Sequence, residues 1–107
     1  MDAMEGLYLT IVSRKETPME GSYTNYLFSQ GLDKICKKVG EECAETIIAA
    51  KNGEPEPLVG EVSDVLYHLL VLLCEQGIPW SAVRDELTLR SQKIGNRKER
   101  RDVDRNT

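Results

Sequence analysis

Five acidic side chains carry the chemistry that this sequence can do. Glu41, Glu42 and Glu45 form one set, EExxE, and after a gap of fifteen residues Glu61 and Asp64 form a second, ExxD. Spacings of three and four place each set on one face of its segment if that segment is helical. Two carboxylates about 4 Å apart repel by roughly 4 kcal/mol at an effective dielectric near 20. Several such groups together must take up protons or bind a cation. Oxygen ligands with no thiolate and at most one imidazole favour Mg²⁺, with Mn²⁺ as a possible substitute, over zinc. Mg²⁺ keeps several waters and draws substrate phosphates into its shell, which points to phosphoanhydride chemistry. Glu42 and Glu45 are the candidates to orient or deprotonate an attacking water.

One ExxE on a helix is commonplace. Lys38 with Glu42, or Lys37 with Glu41, explains the first set as solvated i,i+4 ion pairs. The second set resists that reading, because Glu61 and Asp64 interrupt an apolar run that contains no Lys or Arg. His68 lies one turn beyond Asp64 and could bond a carboxylate, touch a phosphate or assist proton transfer. Lys34 and Lys38 share the side of Glu42 and Glu45 and so rank above Lys37 as phosphate partners; a solvated role is open to all three. Ser22, Tyr23 and Thr24 offer amide and hydroxyl donors at an expected helix start, suited to an anion or to simple capping.

These residues need helices to position them. Leu32, Ile35, Cys36, Val39, Cys43, Ile47 and Ala50 recur at steps of three and four, which predicts a helix from Leu32 to about Asn52, stopped by Gly53. A second long helix is expected from about Pro57 to Gln76, with Gly77 as its terminator. It is apolar almost all round apart from a stripe of Glu61, Asp64, His68 and Glu75, as a central helix is. The connection over residues 51–57 is short enough to fold the two antiparallel. Ser22 should cap a short helix over residues 23–30. Leu7, Leu9, Ile11 and Val12 suggest an N-terminal helix too brief to assign firmly. A last amphipathic segment opens at Pro79 or Ser81, uses Val83, Leu87 and Leu89, and ends near Gln92. No period-2 alternation supports a sheet, so the expected fold is all-α: antiparallel helices in a four-helix-bundle-like domain.

The chain of 107 residues has room for one domain, set at residues 1–92, followed by a basic, flexible tail at 93–107. Residues 1–92 carry 15 acids against 8 Lys/Arg and the tail 3 against 6, so the body repels nucleic acid. The apolar stretch 65–74 is too short to span a bilayer, and no basic-then-apolar leader follows Met1. Cys36, Cys43 and Cys74 all fall on apolar faces and are expected as buried, reduced thiols in a cytoplasmic protein. Tyr67, Leu70 and Val71 point away from the main apolar arc of their helix and call for cover from a second copy, hence a homodimer or a higher homo-oligomer.

The segments 21–28 (GSYTNYLF), 31–35 (GLDKI), 37–42 (KKVGEE) and 48–52 (IAAKN), with Glu61, Asp64 and 67–73 (YHLLVLL), closely resemble the phosphoribosyl-ATP pyrophosphatase family. The resemblance spans roughly residues 5–92. The broader MazG-like all-α pyrophosphatases share only EExxE…ExxD. The resemblance implies Mg²⁺-dependent hydrolysis of phosphoribosyl-ATP to phosphoribosyl-AMP and pyrophosphate, the second step of histidine biosynthesis. It implies a metal held by Glu41, Glu42, Glu45, Glu61 and Asp64, a stand-alone form of the domain, and at least a dimer. A housekeeping pyrophosphatase acting on nucleoside triphosphates would use the same acids. A non-enzymatic helical assembly module would leave them solvated.

Overall fold

The computed structural model describes residues 1–94, which contain five helices and no strand among the described residues. They are α1 (Ala3–Glu16), α2 (Tyr23–Gln30), α3 (Leu32–Asn52), α4 (Pro55–Glu75) and α5 (Trp80–Ile94). The all-α expectation holds.

Local chemistry sets the boundaries. Asp2 caps α1, its carboxylate accepting from the Glu5 amide at 2.8 Å, and Ser22 caps α2 through the Asn25 amide at 3.2 Å. Gly31 ends α2 and starts α3 at φ +91°, a conformation that other residues adopt only under strain. Gly53 closes α3 in the left-handed conformation at φ +73°, its N–H returning to the Ala50 carbonyl. Helix α4 begins at Pro55 rather than at Pro57 as expected. Both prolines lie in its first turn, where their missing N–H groups would have had no intrahelical partner.

The α3–α4 hairpin is the spine. It runs antiparallel, since Ile35 near the start of α3 meets Leu70 and Val71 late in α4 while Ala49 and Pro57 line one recess at the other end. The core is Ile11, Leu27, Ile35, Leu70, Val71 and Cys74, so α1 and α2 close over the C-terminal half of α4. Tyr8 donates to the Ile78 carbonyl at 2.7 Å, and Lys15 pairs with Glu75 at 3.3 Å; both tie α1 to the end of α4. Residues 55–75 are long and apolar enough to cross a bilayer by composition (mean hydropathy 1.5), yet α1, α2 and α3 all pack on this helix.

Several expectations are corrected. Leu70 and Val71 are fully buried and Tyr67 partly so, because α1 and α2 cover the side that looked unpartnered. The uncovered apolar side chains of the α3–α4 hairpin include Ile47, Ile48, Val59, Val62, Leu66 and Leu69. Cys36 and Cys43 are exposed in this chain, and of the three thiols Cys74 alone is buried. The N-terminal segment is a full helix of 14 residues. On α5, Leu87 and Leu89 are exposed and Val83 is partly covered. Lys93 and Ile94 extend α5, and the rest of the expected tail lies outside the described residues.

Candidate functional site

Antiparallel pairing brings the middle of α3 against the first half of α4. One carboxylate oxygen each from Glu42, Glu45 and Glu61 lies within 4.8 Å of the others. Glu42 is buried, Glu61 partly buried and Glu45 exposed. Oε2 of Glu42 and Oε2 of Glu61 are buried with no hydrogen-bond partner among the described residues. A carboxylate accepts and cannot donate, so three of them facing one another need a proton or a cation between them. The proton solution suits Glu61. Sharing a hydrogen bond with Glu45, then burial, then the charge of Glu45 and the proximity of Glu42 push its carboxyl up to about 7. Three convergent carboxylates, two of them carrying an orphaned oxygen, fit a hard divalent cation equally well.

Glu41 and Asp64 stand outside that cluster. Glu41 is exposed and lies 3.7 Å from the Lys38 ammonium, which is also 3.7 Å from Glu42. Lys38 thus bridges the first acidic pair; against burial, which lowers it, the Tyr23 phenol and then Glu41, Glu42 and Glu45 hold its ammonium above the usual range. The Asp64 side chain is exposed. Its backbone carbonyl is 2.7 Å from His68 Nδ1, and a carbonyl only accepts, so Nδ1 carries the hydrogen.

His68 is 4% exposed and has both ring nitrogens engaged, Nε2 meeting the Tyr23 hydroxyl at 3.0 Å. It therefore sits behind Tyr23 instead of opening toward solvent. Thr24 Oγ1 pairs with the Tyr67 hydroxyl, and Ser22 is occupied as the helix cap. Burial raises the Tyr23 hydroxyl; Lys38 opposes the shift and Glu42 adds to it, so the phenol stays protonated. Tyr67, like Tyr23, is raised by burial. The Tyr23, Tyr67 and His68 rings pack together with centroids 4.9 to 6.2 Å apart, locking the start of α2 onto α4. Lys34 lies over the Tyr26 ring.

Sequence reasoning missed Tyr67 and Tyr26 as members of this neighbourhood. Tyr67 adjoins His68, a usable signal, but its partner Thr24 is 43 residues away and no spacing rule links them. Beside the carboxylates, a recess of about 250 Å³ opens between the end of α3 and the start of α4, lined by Glu45, Ala49, Asn52, Pro57 and Glu61 among others.

Comparison with known proteins agrees with this architecture. A family model described as phosphoribosyl-ATP pyrophosphohydrolase matches residues 4–91. A phosphoribosyl-ATP pyrophosphatase of Listeria monocytogenes serotype 4a (strain HCC23) is 55% identical over 100 residues, covering 94% of this chain and 96% of the relative. One from Clostridium novyi (strain NT) is 50% identical over 105 residues, covering 97% and 96%. Another from Bacillus cereus (strain AH820) is 53% identical over 98 residues, covering 92% of each.

Proposed function

This chain belongs to the phosphoribosyl-ATP pyrophosphohydrolase family, and on that premise we propose that it hydrolyses phosphoribosyl-ATP to phosphoribosyl-AMP and pyrophosphate with Mg²⁺, as the second step of histidine biosynthesis in the cytoplasm. The observation that carries the reading is the meeting of Glu42, Glu45 and Glu61 with two buried oxygens left without a donor. Those three carboxylates would hold Mg²⁺; Glu41 and Asp64, the other two acids expected of the metal site, stand outside this trio. When bound, the ion withdraws charge from phosphate oxygens and acidifies water.

The chain's own residues divide the remaining work. Lys38, already between Glu41 and Glu42, neutralises phosphate charge, and Lys34 one turn earlier does the same. Glu45 is the exposed member of the cluster and would take a proton from an incoming water, while Glu42, buried and paired with Lys38, would serve as a ligand. His68 orients Tyr23, and the residues 22–24 order the start of α2 beside the site. The enzyme works as a homodimer or a higher homo-oligomer, with Ile47, Val59, Val62 and Leu66 covered by a second copy.

The test is pyrophosphate release from phosphoribosyl-ATP, with and without Mg²⁺, beside a panel of nucleoside triphosphates. Metal-dependent release from phosphoribosyl-ATP alone is expected. Preferred turnover of a nucleoside triphosphate would assign the site to housekeeping hydrolysis instead.

A further inference from the structure

Helix α2 is anchored by one face and leaves another open. Leu27 is fully buried, Phe28 packs on the core and Thr24 bonds to Tyr67. Tyr23 and Tyr26, three residues apart, stand off that face at 45% and 44% exposure. Their rings lie 6.1 Å apart with planes inclined by 25°, a stacked aromatic pair at the surface. Exposed aromatics in loose packing are ordinary, but Tyr23 is not loose. Its hydroxyl is held by His68 Nε2 and its ring is packed against Tyr67 and His68. A rigid aromatic ring kept open to solvent loses little entropy when something stacks on it.

The two rings border a recess of about 650 Å³ whose far wall includes Pro18, Met19 and Gly21. That volume is within the range of small-molecule sites. The wall is pinned: Asn25 accepts from the Met19 amide at 2.8 Å and donates to the Arg14 carbonyl at 2.6 Å. The Ser22 amide closes a turn onto the Met19 carbonyl, with Gly21 at φ +81° in the position that requires it. Lys34 Nζ is 5.9 Å from the centre of the Tyr26 ring, the long limit of a cation–π contact, so it can swing to a phosphate at little cost.

We propose that the stacked pair of Tyr23 and Tyr26 forms the shelf on which the purine base of the nucleotide stacks. The inference rests on the function proposed above. A nucleotide whose phosphates lie at Lys38 and the carboxylates must lay its base to one side, at the reach of a ribose. Tyr23 is the residue common to both places, bordering the recess and sensing the charges of Lys38 and Glu42. Stacking reads any flat ring and leaves discrimination to the edges of the base.

The experiment is calorimetric titration of the Mg²⁺-loaded protein with ATP and, separately, with inorganic tripolyphosphate, which has no base. Tyr26→Ala should weaken ATP roughly ten-fold and leave tripolyphosphate unchanged. Tyr26→Phe, which keeps the ring, should bind ATP as the parent does. With phosphoribosyl-ATP as substrate the alanine variant should raise KM and spare kcat. Unchanged ATP affinity in Tyr26→Ala, equal weakening of ATP and tripolyphosphate, or failure of the phenylalanine variant to restore binding would each overturn the shelf. Failure of the protein to hydrolyse phosphoribosyl-ATP would remove the proposed function but leave the comparison of the two ligands to stand or fall by itself.

Discussion

Glu61 is the residue whose behaviour most exposes the physics of the site. Its folded-state carboxyl is raised from 4.5 to about 7, so between those values the folded protein binds a proton that the unfolded chain releases. The metal-free protein therefore gains full stability from this group below pH 4.5 and loses it as pH rises toward 7 and beyond. Thermal melts of chelator-treated protein should fall across that window, and Glu61→Gln should flatten the fall. Mg²⁺ must displace the same proton, so its apparent affinity should rise with pH up to about 7 and then level off. Glu45→Gln removes the proposed base and should lower kcat by about a hundred-fold or more while still allowing Mg²⁺ to stabilise the fold. The grouping of Glu42, Glu45 and Glu61 was legible from the spacing of EExxE and ExxD. The outward turn of Asp64 was not: it has the same three-residue spacing from Glu61 that Glu45 has from Glu42, yet it is exposed and stands outside the cluster, so spacing alone does not separate the two cases.

At the scale of elements, the α2–α3 junction decides whether the donors of α2 reach the acids of α3. Gly31 has φ +91° and ψ −176°, serves both helices, and a Cβ built there would meet nothing within 4 Å. Replacing it with alanine should cost about 1–3 kcal/mol from backbone strain alone, read as a lowered denaturant midpoint with unchanged slope. The long helices and their stops were readable because periodicity and Gly53 act within a few residues. The link from His68 to Tyr23 was not, since it joins side chains 45 positions apart and depends on how α2 docks. The early start of α4 shows the same limit, for proline signals a break and a first turn with equal force.

For the whole molecule, apolar periodicity revealed how much surface needs cover but not which neighbour supplies it. Leu70 and Val71, read as facing a partner, are covered by the chain's own α1 and α2, and the bare strip runs instead through Ile47, Val59, Val62 and Leu66. Val62→Asp should leave the helices intact and shift the mass in solution to the 12.1 kDa of one chain. A parent protein that already runs at that mass would remove the assembly. The central claim concerns the carboxylates, and anomalous diffraction from crystals soaked in Mn²⁺ tests it most directly. The account predicts a peak bounded by Glu42, Glu45 and Glu61. Manganese found only elsewhere, with those three side chains turned into solvent, would contradict it.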